Sequence, residues 1–184
     1  MAITERSDAE LLMQFRQPQT REAAFTSIIR KYQEKLYWHI RRMIVDHDDT
    51  NDVLQNVFIR VWNGLANFRE DSQLYTWLYR IATNECLTFL EGQKKRAAVS
   101  LSDVETGLSN KIKADKHFDP QKLEWKLQLA IQQLPEKQRA VFTLRYYDEM
   151  PYEEMSRMLG TSEGALKASY HHAVKKIEDY IKNH

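Results

Sequence analysis

The sequence predicts an all-α protein made of two small helical domains, and three observations carry that prediction. Apolar residues recur at three- and four-residue steps along most of the chain, and no segment sustains the period-two alternation of a strand. Pro18, Gly92, Gly107, Pro120, Pro135, Pro151 and Gly160 fall where the helical pattern starts or stops. At 184 residues the chain can bury a real core, and five Gly with four Pro are too few breakers for a disordered or collagen-like polymer.

The elements follow in order. Ser7 and Glu10 form a capping box, hydroxyl and carboxylate satisfying orphan amides reciprocally, that leads into Leu11, Leu12 and Phe15. A long second helix from Thr20 has the stripe Phe25, Ile28, Ile29, Tyr32, Leu36, Ile40, Met43 and Ile44. Residues 47–51, HDDTN, read as a turn. The third helix buries Val53, Val57, Phe58, Val61 and Leu65. The fourth, opened by Ser72, buries Leu74, Trp77, Leu78, Ile81, Ala82, Phe89 and Leu90, with Cys86 packed on the same stripe. These four helices make a first domain over residues 1–92.

From 93 to 122 the apolar residues thin out while Lys, Ser, Asp and Asn accumulate, the composition of a flexible linker. The second domain, 123–184, resumes with Leu123, Leu127, Ile131 and Leu134, breaks at Pro135, continues through Val141, Leu144 and Tyr147, and breaks again at Pro151.

Composition removes several functional classes. No stretch approaches the roughly 18 uncharged apolar residues of a membrane span, and the start MAITERSDAE lacks the basic and then apolar run of a secretory signal, which predicts a cytoplasmic chain. One cysteine excludes an internal disulfide and a CxxC metal site and fits a reducing compartment. There is no Gly-rich phosphate loop, Ser/His/Asp arrangement, metal triad or paired-carboxylate site, so the chain reads as no enzyme and implies no cofactor. The net charge is only +1, yet its distribution is uneven: residues 92–122 hold seven Lys/Arg against four Asp/Glu, whereas 123–184 hold nine of each.

Residues 152–180 carry the sharpest local pattern. An apolar face of Tyr152, Met155, Met158 and Leu159 is followed by Gly160, which permits a left-handed turn, and by Ser162, which can cap a helix with the stripe Leu166, Tyr170, Ala173, Val174, Ile177 and Ile181. That is a helix-turn-helix. Opposite the stripe stand Lys167, His171 and Lys175, with His172 and Lys176 beside them. If the second helix enters a DNA major groove, Ser162, Glu163 and Lys167 face base edges, and Thr161, His172, Lys175 and Lys176 face phosphate. The same spacing also fits a solvated helical hairpin, its positive face diluted by Glu163, Glu178 and Asp179. His171 and His172 do not read as a metal pair, because adjacent helical side chains point about 100° apart and no third ligand accompanies them.

In the first domain, Tyr79, Arg80, Thr83 and Asn84 form a second face of the fourth helix, opposite its core stripe and next to the turn NFREDSQ at 67–73. Rings beside Arg and amide groups suit unstacked bases, since rings stack on any base while Asn and Arg bond its edges. The plainer reading leaves Phe68 and Trp77 in the core and pairs Arg69 with Glu70 or Asp71. The third helix turns Asp52, Gln55, Asn56 and Arg60 away from its stripe, a polar strip that either docks a partner helix or faces water.

Three segments together, DVLQNVFIRVW (52–62), FREDS (68–72) with YTWLYRIATN (75–84), and LPEKQR (134–139) with the helix-turn-helix, resemble regions 2 and 4 of the extracytoplasmic-function group of bacterial RNA polymerase sigma factors. The likeness spans nearly the whole chain. It implies a non-catalytic initiation subunit that binds core polymerase through its β and β′ subunits, Asp52, Gln55 and Asn56 gripping a coiled coil of β′. Phe68, Arg69, Asp71 and Ser72 would then capture a flipped minus-10 base, with Arg60, Tyr79, Arg80 and Asn84 around it. Thr161, Ser162, Glu163, Lys167, His171, His172 and Lys175 would read the minus-35 element as duplex. It further implies promoter DNA and an anti-sigma factor as partners, and a basic linker threading the polymerase. A near-neutral chain suits that role, because polymerase supplies much of the phosphate contact. One departure stands out: LKASYHH at 166–172 offers one Lys and two His where the family often has two or more Arg. Two other readings remain at this level: a stand-alone helix-turn-helix regulator binding DNA as a symmetric dimer, and a helical adaptor.

Overall fold

The structure is a computed structural model that describes residues 6–97, 110–114 and 119–184. Among these residues every regular element is a helix and there is no strand. The first half contains α1 (Asp8–Arg16), α2 (Arg21–Ile44), α3 (His47–Leu65) and α4 (Leu74–Ala97). The second contains α5 (Leu123–Gln132), α6 (Glu136–Tyr146), α7 (Tyr152–Leu159) and α8 (Glu163–Asn183).

Local chemistry sets the helix ends. The Ser7 hydroxyl accepts from the Glu10 amide at 3.3 Å while the Ser7 amide donates to Glu10 Oε2 at 2.8 Å, closing the expected capping box. α2 stops at Val45, which adopts φ 74°, a conformation a β-branched residue rarely takes. The expected turn at HDDTN is instead the first turn of α3. Asp46 Oδ1 accepts from the Asp49 amide at 3.0 Å, and Asp48 and Asp49 sit at the positive end of the helix dipole, so this acidic cluster begins a helix rather than interrupting one. α4 opens two residues after Ser72: its first bond runs from the Trp77 amide to the Gln73 carbonyl at 3.2 Å. Gly64 lets α3 and α4 approach, since a Cβ there would stand 3.1 Å from the Trp77 ring.

α2 is the spine of the first half and packs against α1, α3 and α4, burying Ile28, Leu36, Ile40 and Met43 completely. α8 plays that part in the second half, against α5, α6 and α7. The halves are in contact: α6 lies on α2 and α4, and α7 lies on α4. Val141, Leu144, Met150, Met155 and Leu166 join the same core as Leu36, Leu78 and Leu90. Phe58, Trp77, Ile81 and Phe89, expected in the core, are half-buried around it, while Tyr79 and Thr83 are buried.

The stretch expected as a linker from 93 is partly ordered, because α4 runs on to Ala97. Residues 110–113 form a helical turn whose Ile112 packs against Val45 and Leu129, while Lys111 pairs with Asp46 at 3.1 Å and Asp49 at 3.5 Å. Gly107 lies outside the described residues.

Arg139 of α6 is buried at the junction of the halves. It donates to the carbonyls of Met43 (2.8 Å), Gln132 (2.9 Å) and Leu134 (3.2 Å). Replacing it with Met strips these acceptors of their donors, and each buried carbonyl left bare costs roughly 1–3 kcal/mol. Arg139→Met should lower unfolding stability by about 3 kcal/mol, read as a drop in urea midpoint at unchanged slope. An unchanged midpoint would mean that water replaces the guanidinium.

Candidate nucleic-acid interface

Three exposed surfaces carry the predicted site residues. The first is the helix-turn-helix. Gly160 closes α7 with φ 63°, its amide bonded to the Ser156 carbonyl at 3.0 Å, and Ser162 Oγ caps α8 by accepting from the Ala165 amide at 3.2 Å. Met155, Met158 and Leu166, all buried, fix the angle between the two helices. Thr161, Ser162, Glu163, Lys167, His171, His172, Lys175 and Lys176 are all exposed, as the spacing predicted. Lys167 lies over the Tyr152 ring at 5.6 Å with Glu163 4.0 Å away, so its ammonium is held beside the start of α8. Lys176 bonds Gln138 of α6 at 3.0 Å. The rings of His171 and His172 are 6.1 Å apart, and among the described residues no group of three His, Cys, Asp or Glu is placed to hold a metal.

The second surface surrounds the loop between α3 and α4. Phe68 is buried with its ring 5.1 Å from Trp77 and anchors the loop, whereas Arg69, Glu70 and Asp71 are exposed and Ser72 is half-buried. Glu70 sits at φ 60° and pairs with Arg16 of α1 at 2.7 Å; the plainer sequence reading had placed Arg69 in that role. Arg60 pairs with Glu85 across α3 and α4, and Arg80 and Asn84 are exposed on the same outer side.

The expected face of Tyr79, Arg80, Thr83 and Asn84 divides. Successive residues lie about 100° apart around a helix, so Arg80 and Asn84 face outward while Tyr79 and Thr83 turn into the seam between the halves. Tyr79 is only 6% exposed, and burial, reinforced by the nearby Asp148 carboxylate, raises its pKa and keeps the phenol protonated.

The third surface is the outer strip of α3, where Asp52, Gln55 and Asn56 are exposed as expected. Ile59 stands on the same strip at 55% exposure. Its position off the Val53, Val57, Val61 stripe was the available signal for an apolar contact in a polar row.

Sequence reasoning missed the seam itself. His39 of α2 is wholly buried, with Nδ1 2.7 Å from Asp148 Oδ2 and Nε2 2.9 Å from Thr83 Oγ1. Arg42 stacks on Tyr147 at 4.1 Å, and Glu154 of α7 accepts from Tyr75 and, at 3.1 Å, from Thr76. A cleft of about 720 Å³, lined in part by Trp38, Arg42, Tyr75, Tyr79 and Tyr147, opens beside these contacts. The one available signal was a histidine within the apolar stripe of α2. Among the described residues no helix is long and apolar enough to cross a membrane.

Comparison with known proteins agrees with the two-part reading. The family model for sigma-70 region 2 matches residues 28–96 and that for sigma-70 region 4 matches residues 124–177. The RNA polymerase sigma-H factor of Pseudomonas aeruginosa is 30% identical over 96% of this chain and 94% of its own length. The ECF RNA polymerase sigma-E factor of Escherichia coli K12 is 30% identical over 87% of both chains. Two solved structures share the fold. CnrH in complex with the cytosolic domain of CnrY has a TM-score of 0.69 and 20% identity, over 96% of this chain and 97% of that one. The sigma factor RpoE in complex with the anti-sigma factor NepR from Bartonella quintana has a TM-score of 0.65 and 18% identity, over 86% and 96%. Two regional models matched in order, and full-length relatives on both counts, establish that the chain belongs to the sigma-70 family of RNA polymerase sigma factors, in its extracytoplasmic-function group.

Proposed function

We propose that this sigma factor binds core RNA polymerase through the outer strip of α3 and directs it to promoters by reading two elements in two physical states. The observation that carries the reading is the presence, on one chain, of an exposed helix-turn-helix face and a separate exposed patch around an anchored loop. α8 offers polar and cationic side chains at the helical spacing a major groove accepts, and it takes the minus-35 element as intact duplex. The loop at 67–73, with Arg60, Arg80 and Asn84 beside it, takes a minus-10 base flipped from the stack. Flipping costs a few kcal/mol of lost stacking, which the patch must return. The functional units are residues 1–92, a linker over 93–122 and residues 123–184. The work is done in the cytoplasm, in association with the nucleoid when polymerase is bound. An anti-sigma factor is the inhibitory partner, a reading supported by the complexes in which its structural neighbours were solved.

The deciding experiment is co-elution of the purified chain with bacterial core polymerase on gel filtration. Stoichiometric co-elution is expected, and Gln55→Ala/Asn56→Ala should abolish it while leaving helical circular dichroism intact, since both side chains are exposed. A folded chain that does not co-elute would turn the search toward a free regulator of duplex DNA.

Asn84→Ala should impair promoter opening, measured by permanganate reactivity of the melted strand, with core binding unchanged. Equal loss of both would make the residue structural. Lys167→Ala should weaken minus-35-dependent initiation by about 1–3 kcal/mol if the side chain reads a base. A uniform loss across minus-35 sequences would reassign it to phosphate.

A further inference from the structure

The cleft between the halves has a chemistry that the polymerase and promoter surfaces do not use. Its volume of about 720 Å³ is that of a small-molecule site, and it lies where two domains meet, a common place for one. Its rings come from three elements: Trp38 on α2, Tyr75 and Tyr79 on α4, and Tyr147 just after α6. Tyr75 and Tyr79 lie edge to face at 6.3 Å. Trp38 is 48% exposed, and an indole left open on a cavity wall offers its face to an occupant.

Arg42 shows what these walls take. Its guanidinium lies over the Tyr147 ring at 4.1 Å and 3.9 Å from Asp148, so a cation is already held there between a π face and a carboxylate. Asp148 is further engaged by His39 at 2.7 Å. The charged groups left over in the cleft are Glu34, Lys35 and Glu149, all exposed and none in an ion pair among the described residues. An entering anion would therefore meet two carboxylates for one ammonium, and a neutral solute would leave that excess of negative charge unanswered.

From this we propose that the cleft binds a small organic cation of the quaternary ammonium class, its alkylated nitrogen against the Trp38 and Tyr75 rings and its charge beside Glu34 and Glu149. A quaternary nitrogen carries no N–H, so it gives up little when rings replace water, whereas a primary ammonium would need acceptors in place of its hydration shell. Because both halves wall the cleft, the occupant touches both, and its binding free energy adds to their association. The chain thereby has a chemical input separate from the outer strip of α3 and the exposed face of α8.

Isothermal titration of the full chain with benzyltrimethylammonium tests this, with benzoate as the anionic probe and benzyl alcohol as the neutral one. The cation should saturate one site with a Kd at or below about 1 mM, a modest demand for a ligand of this size. Benzoate and benzyl alcohol should bind at least about tenfold more weakly, since neither gains a cation–π contact. Trp38→Leu should weaken the cation at least about tenfold, and Glu149→Gln about threefold or more, because the amide keeps the shape and loses the charge. Both positions are exposed, so helical circular dichroism should not change. The three-probe comparison on the unmodified chain decides the matter however the variants fold. No saturable binding of the cation, equal binding of benzoate or benzyl alcohol, or undiminished binding to folded Trp38→Leu would each overturn the proposal.

Discussion

A buried guanidinium sits where α2 and α5 end and α6 begins, and the relation of the two halves depends on it. Burial draws the pKa of Arg139 down to about 10, with Glu136 pulling the other way, so the group is charged at neutral pH inside the protein. A charge in that position needs strong partners. It finds them in carbonyls of both halves, among them Met43 near the negative end of α2. A planar cation with donors in fixed directions can meet several carbonyls at once, which a lysine ammonium on a flexible stem does far less well. Nearby, Lys94 at the end of α4 pairs with Glu136 at 2.5 Å, tying the start of α6 to a second helix of the first half. The placement of α6, and through it of Asp148 and α7, follows from these contacts.

Much of the fold was legible because it is local. The Ser7 capping box, the left-handed Gly160 and the stripes of α2 and α8 are decided by residues three or four apart, and they appear in the structure as the spacing predicted. Errors arose where local signals compete. Clustered Asp residues favour turns and helix starts alike, and the HDDTN segment went to the helix because Asp46 found an amide to cap. Tyr79 and Thr83 look like a solvent-facing pair from periodicity alone; Tyr79 is buried beside Asp148 of the other half and Thr83 against His39 of α2. No pattern within α4 encodes that.

The site divides in the same way. The exposed face of the helix-turn-helix was legible because a short turn and one helix face define it. The exposure of Arg80 and Asn84 was legible for the same reason, whereas Tyr79 and Thr83, read on the same face, turn inward. His39, Asp148 and Glu154 were missed because each acquires meaning only through a partner distant in sequence: His39 and Asp148 are 109 residues apart, Thr76 and Glu154 78.

The turn at 110–113, pinned by Ile112 and Lys111 beside Val45, divides the connection between the halves into two shorter spans. A short tether makes association of its ends an intramolecular event, with an effective concentration on the order of millimolar. The second half is then a permanently supplied ligand of the first. Dilution does not open the seam, nor does the number of copies in the cell set its occupancy, and any molecule contesting that surface competes against the chain's own local concentration.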